Sequence, residues 1–128
     1  MTLLLDTHVL LWAAAGDPRL PPRAAELIGD PTAHLVFSAS SIWEIAIKAS
    51  LGRDDFRVDP RALCARLLEN EYVALAVMPE HAVALAGLPD IHRDPFDRIL
   101  VAQATHERFT LVTADPVVAA YPGPIVRV

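Results

Sequence analysis

Five short apolar runs, at residues 2–5, 35–37, 73–77, 111–113 and 125–128, are each bounded by polar or turn residues, and every interval between them carries helical periodicity. Runs of three to five residues closed by turn signals read as buried strands. The helical patterns fall at 9–15, 21–28, 42–51, 61–68, 80–86, 95–108 and 117–120. Strands alternating with helices are joined by crossovers, which predicts a mainly parallel sheet of about five strands covered on both faces, an α/β fold in three layers. A chain of 128 residues is the size of one domain, and no repeat, low-complexity tract or linker divides residues 1–128. The segment 52–60, GRDDFRVDP, is the most loop-like.

Composition narrows the function classes. A hydrophobic content of 53% with only 6% aromatics gives an aliphatic core and excludes a disordered chain. Sixteen Asp and Glu against eleven Lys and Arg leave a formal charge of −5, which excludes holding nucleic acid by bulk electrostatics alone. A local basic patch stays open, and because Lys48 is the only lysine, phosphate contacts would fall mostly to arginines. The single cysteine, Cys64, has no internal partner, reads as packing and fits a reducing cytoplasm. The apolar start is not read as a signal peptide, since no base precedes it and Asp6 interrupts it, and no apolar run approaches the ~20 residues of a membrane span. Trp12 and Trp43 lie in helical apolar patterns and are expected in the core or at an interface. The five histidines show no paired metal spacing and read as surface or packing residues.

Five acids stand where chemistry is expected. Asp6 directly follows the first strand and precedes a helix, which puts it at the carboxyl end of the sheet, where open α/β folds bind ligands. Asp115 repeats the arrangement in LVTADP. Each alone is accounted for as a helix N-cap. Glu44, in SASSIWEIAIKASLG, sits beside a stripe of Ile42, Ile45, Ala46 and Ala49, and alone it reads as a surface partner of Lys48 at i+4. Ser38, Ser40 or Ser41 would start that helix. In HRDPFDRILVAQA, Asp94 is a cap with Pro95 at the first helical position. Asp97 shares a face with Leu100, Val101 and Ala104, so capping accounts for it less well. If Asp6, Glu44, Asp97 and Asp115 gather at one sheet end, their repulsion calls for hard cations such as Mg2+ or Mn2+.

These four motifs, LLLDTHVLLW, SASSIWEIAIKASLGR, HRDPFDRILVAQA and LVTADPVVAAY, resemble in order and spacing those of the PIN-domain ribonucleases, and specifically the VapC-like toxins of bacterial toxin–antitoxin pairs. The likeness covers essentially the whole chain. It implies a three-layer PIN-like fold and a cytoplasmic endoribonuclease that hydrolyses RNA through a metal-activated water, leaving 5′-phosphate and 3′-hydroxyl ends. It implies that Asp6, Glu44, Asp97 and Asp115 are the catalytic, metal-binding carboxylates, with Thr113 and Asp94 in support. It also implies a cognate antitoxin protein and a homodimer. Lys48, Arg53, Arg93 and Arg98, near these motifs in sequence, are expected to contact RNA phosphates.

Two other readings compete. Clustered acids at strand ends would also serve a Mg2+-dependent phosphatase, but phosphoaspartate enzymes resemble Asp-x-Asp after a strand, and here the third residue is His8. A non-catalytic module of the same fold, docking a basic peptide, would be favoured by loss of any one carboxylate, and all four are present.

Overall fold

The computed structural model describes all 128 residues. Five strands, β1 (Thr2–Leu5), β2 (His34–Ser38), β3 (Val73–Leu75), β4 (Thr110–Thr113) and β5 (Ile125–Arg127), form one sheet in the order β3-β2-β1-β4-β5. Every pairing is parallel. The α-helices are α1 (Thr7–Ala15), α2 (Pro22–Ile28), α3 (Ala39–Ser50), α4 (Pro60–Glu69), α5 (Pro79–Ala84), α6 (Pro95–Glu107) and α7 (Pro116–Ala119).

Side-chain alternation along the strands divides the core in two. Leu3, Leu5, Phe37 and Val112 face one layer, where they pack with Val9 and Leu10 of α1, Ala24 of α2, Ile45 of α3 and Leu63 and Leu67 of α4. Leu4, Val36 and Leu111 face the other, against Leu100, Val101 and Ala104 of α6, Val118 of α7, and Tyr121. The chain order requires this split. From β1 it steps outward to β2 and β3, then returns past β1 to β4 and β5. Right-handed crossovers must change face when the direction of travel reverses, so α1 to α4 cover one side and α5 to α7 the other. That reversal makes a switch point between β1 and β4, where the outgoing chain segments diverge and leave a crevice.

The expected elements are all present, with boundaries moved for identifiable reasons. α3 begins at Ala39 rather than 42, because the Ser38 hydroxyl accepts the Ser40 N–H and caps it immediately after the strand. β3 stops at Leu75 rather than 77, since its partner β2 ends opposite it at Ser38. The helix expected to reach residue 86 tightens into a 3-10 turn at Leu85–Gly87. α1 ends at Gly16, whose φ of 61° is open to a residue without a Cβ. Cys64 is half-buried against the first core layer, the packing role its isolation implied. No helix is long and apolar enough to cross a membrane.

Candidate active site

The carboxyl ends of β1 and β4 flank the switch point, and each delivers an aspartate there. Asp6 is the N-cap of α1, its Oδ1 accepting the Val9 N–H at 2.9 Å. Its Oδ2 accepts a short hydrogen bond from the Thr113 hydroxyl, at the end of β4. Thr113 Oγ1 in turn accepts the Asp115 N–H at 3.0 Å, which ties the two strand ends together. Asp115 caps α7 by accepting the Val117 N–H at 2.8 Å. Asp6 is buried, and burial pushes its carboxyl above the usual range against the lowering effect of the Thr113 and Val9 hydrogen bonds; the charge of Asp115 pushes the same way as burial. Capping and membership of an acidic site are thus compatible at both residues.

Glu44 comes from α3. Its pairing with Lys48 is present, Oε2 lying 3.0 Å from Nζ, but the residue is 7% exposed and so is not a surface glutamate. Oε1 is buried with no hydrogen-bond partner. A buried carboxylate oxygen left unpaired is costly, of order 1–3 kcal/mol or more for a charged group, so Oε1 is a donor suited to a cation. Beside it, the buried Thr7 and Ser41 hydroxyls bond at 3.0 Å and join α1 to α3. The sequence signal for these two is only their adjacency to Asp6 and to the α3 cap.

Asp97 stands in the first turn of α6. Asp94 caps the helix, its Oδ1 accepting the N–H groups of Phe96 (2.8 Å) and Asp97 (3.4 Å). The Asp97 carboxyl is pushed up to about 7, first by burial and then by the charges of Asp94, Glu44 and Asp6, against the opposing influence of His92. His92 Nε2 lies 3.1 Å from Asp97 Oδ2. Ligand atoms of His92, Asp94 and Asp97 all fall within 4.8 Å of one another. His92 therefore borders the site, a placement that its sequence spacing did not signal. The couplings connect all four expected acids: Asp97 feels Glu44 and Asp6, and Asp6 feels Asp115.

The cations separate into two groups. Lys48 and Arg53 line a cleft of about 550 Å³ between α1, α3, α4 and the 51–59 loop, whose walls include Trp12, Phe56 and Leu63. Lys48 also lines a second, shallower cleft with Arg93, Glu44 and Phe96. Arg98 departs from the expectation of a phosphate contact. Its guanidinium turns away to the carbonyls of Pro89 and Leu85 and to the Tyr121 hydroxyl, so it is occupied inside the protein. Trp43 is 63% exposed, edge-on to Phe96 at 5.0 Å, and so is not a core residue. At the other end of α6, His81, His106 and Glu107 also cluster. Both His81 nitrogens are already used, Nδ1 by the Met78 N–H and Nε2 by Glu107, in keeping with a packing histidine.

Residues 3–124 match the PIN domain family model. Ribonuclease VapC22 of Mycobacterium tuberculosis is 30% identical over 115 residues, which span 89% of this chain and 87% of that one. Among solved structures, VapBC2 from Rickettsia felis, bound to a DNA fragment from its promoter, superposes with a TM-score of 0.72 at 15% identity, over 99% of this chain and 98% of that one. Mycobacterium tuberculosis VapC20, a Sarcin-Ricin loop cleaving toxin, superposes with a TM-score of 0.63 at 18% identity, over 98% and 99%. A parallel sheet with its acids at the β1–β4 switch point, a family model spanning nearly every residue and a ribonuclease relative of similar length agree: the chain belongs to the PIN-domain family, among its VapC-like ribonuclease toxins.

Proposed function

We propose that this protein is a divalent-metal-dependent endoribonuclease, the toxin of a toxin–antitoxin pair, acting in the cytoplasm with Asp6, Glu44, Asp97 and Asp115 as its metal-holding carboxylates. The observation that carries this reading is Glu44 Oε1, buried and unpartnered beside a raised Asp97. An all-oxygen donor set of this kind suits Mg2+ or Mn2+ rather than a soft metal. When bound, such an ion supplies Lewis acidity toward the scissile phosphate and makes a water more acidic.

The protein's own contribution is placement. Thr113 and the Val9 N–H fix both oxygens of Asp6. Asp94 anchors the first turn that carries Asp97. Lys48 balances Glu44 and lines one cleft with Arg53, which is itself paired with Asp55, and a second with Arg93 and Glu44, where RNA phosphates would run. Arg98 is withdrawn from that set. The Thr7, Ser41 and Thr113 hydroxyls at the site are each engaged in hydrogen bonds, which fits direct attack by water.

For partners, solved relatives include a toxin–antitoxin complex from Klebsiella pneumoniae and the VapBC2 assembly. We assign a cognate antitoxin to this chain on that likeness, and the cleft walled by Trp12, Phe56 and Leu63 offers a partly apolar seat next to Lys48. The homodimer is supported by the exposed row of Trp43, Ile47 and Leu51 along α3 and its C-cap.

The test is cleavage of end-labelled structured RNAs by the purified chain with Mg2+, Mn2+ or chelator, beside Glu44→Gln. Cleavage that needs the metal and falls more than about 100-fold in the variant is expected, since removing mere outer-shell support at metal sites costs 10- to 100-fold. Equal cleavage in chelator, or by Glu44→Gln, would refute the assignment.

A further inference from the structure

Arg98 follows Asp97 directly in sequence, yet its guanidinium serves a loop and not the substrate side. Nη1 donates to Pro89 O at 3.0 Å, to the Tyr121 hydroxyl at 3.1 Å and to His92 O at 3.5 Å, and Nη2 donates to Leu85 O at 3.4 Å. The partner hydroxyl is equally committed. Tyr121 is 3% exposed, and its oxygen accepts the His92 N–H at 2.8 Å while donating to His92 O at 3.2 Å. With the Arg98 bond, this uses the one donor and two acceptor positions of a tyrosine hydroxyl completely. Both main-chain groups of His92 are therefore gripped by a single buried oxygen, itself braced by an arginine.

The His92 ring continues the chain of contacts toward the acids. Nδ1 accepts the Arg93 N–H at 3.0 Å, which places the ring proton of the neutral imidazole on Nε2. That nitrogen is the atom 3.1 Å from Asp97 Oδ2. Packing alone does not require such an arrangement. A phenylalanine at 121 would fill the same space against Leu100 and Val118, and nothing in the core needs the whole hydrogen-bonding capacity of Tyr121 spent on one loop residue.

We propose that Tyr121 and Arg98 are positioning residues of the acidic site: they fix the His92 main chain, and through the His92 ring they hold the Asp97 carboxylate in place before a cation arrives. The carboxylate is otherwise surrounded by acids that push it away, so an unsupported Asp97 would rotate toward solvent. This rests on the reading of Asp97 as a metal ligand, and the experiment separates the two.

Mn2+ binding to the full chain is measured calorimetrically, together with thermal unfolding and RNA cleavage, for Asp97→Asn, Tyr121→Phe, Arg98→Met, His92→Leu and His92→Gln. Binding is expected to vanish in Asp97→Asn and to weaken about 10- to 100-fold in Tyr121→Phe and His92→Leu. His92→Gln keeps a donor at the Nε2 position and is expected to recover most of the affinity. In cleavage, kcat falls while KM for RNA holds. If Arg98→Met does not fold, Tyr121→Phe still decides, because its ring remains in the core. Should Tyr121→Phe lower only the melting temperature, with Mn2+ affinity within about twofold of wild type while Asp97→Asn has lost it, the positioning role is overturned. Wild-type affinity in Asp97→Asn would instead overturn the metal-ligand reading itself.

Discussion

The strand-borne and helix-borne halves of the acidic site are held in opposite ways. Asp6 and Asp115 sit at the ends of β1 and β4, where each caps a helix, and the Thr113 hydroxyl bridges them. Glu44 and Asp97 project from α3 and α6 with their carboxylates partnered by Lys48 and the His92 ring, and one Glu44 oxygen has no partner at all. The strand half has a structural reason of its own, because a cap at a strand-to-helix junction is stabilising. On the proposed reading, the helix half would gain stability only when a divalent cation binds. Such an imbalance is what a functional site leaves behind when it overrides local preference.

The largest expected effect tests that imbalance directly. An ion that binds only the folded state stabilises it by RT ln(1 + [L]/Kd), about 2.7 kcal/mol at 100 times Kd, which for a domain of this size is several degrees in melting temperature. Wild type should show this shift with Mn2+, and Glu44→Gln or Asp97→Asn should not. Without metal, both variants should be at least as stable as wild type, since each relieves the mutual repulsion of the gathered carboxylates. A melting temperature indifferent to Mn2+ would place the two halves on the same footing.

The next effect is a pH dependence. Asp97 titrates at about 7 in the folded protein, above its ordinary value of 3.8, so between those limits the folded state binds more protons than the unfolded state. Metal-free stability should therefore fall as pH rises from about 4 to about 7, on account of this residue. Asp97→Asn should flatten that part of the curve and exceed wild type at pH 8. Chemical denaturation at stepped pH reads the difference, and identical slopes for the two proteins would contradict the raised Asp97. Saturating Mn2+ should abolish the fall in wild type, because a bound cation favours the ionised carboxylate.

How much of this was legible beforehand follows the same division. Asp6, Asp94 and Asp115 could be placed from sequence because a strand followed by Asp, or Asp followed by Pro, is a local grammar of caps. Glu44 could be put next to a buried stripe, but its real burial comes from tertiary packing around α3, which no i+4 pattern contains. Arg98 was legible as a cation near the motif and misread in direction. Its partners, Pro89 and Tyr121, lie 9 and 23 residues away and are brought to it only by the turn into α6 and the close of α7. His92 stood beside the acidic motif in sequence, but its contact with Asp97 did not show there, since a histidine five residues before an aspartate has no periodic relation to it until the Asp94 cap bends the chain.

On the strand side, Asp115→Ala should cost about 1 kcal/mol of metal-free stability through loss of the α7 cap, and should also lose part of the stabilisation that Mn2+ gives wild type. Thr113→Val should cost a similar amount, because it strands an oxygen of Asp6 in a buried setting. These losses are opposite in sign to those expected of Glu44→Gln and Asp97→Asn in metal-free protein. Paired unfolding curves in chelator would reveal it. If Asp115→Ala were neutral while Glu44→Gln destabilised, the two halves would have exchanged their characters.

The smallest effect concerns Lys48, which belongs to both descriptions: a counter-charge 3.0 Å from Glu44 and a cation in the walls of two clefts. Its side chain is 39% exposed, so as an i,i+4 partner it contributes only about 0.3–0.5 kcal/mol, and Lys48→Met should barely move metal-free stability. As a phosphate contact it would show differently. Each neutralised phosphate on a single strand adds about 0.7 to the slope of log affinity against log salt, so Lys48→Met should reduce that slope by roughly this amount and weaken RNA binding without regard to sequence. A cleavage-dead background such as Glu44→Gln keeps the RNA intact but removes the partner charge, and in that background Lys48 is freed toward phosphate. An unchanged slope there would confine Lys48 to neutralising Glu44 and leave Arg53 and Arg93 as the cations that meet the RNA.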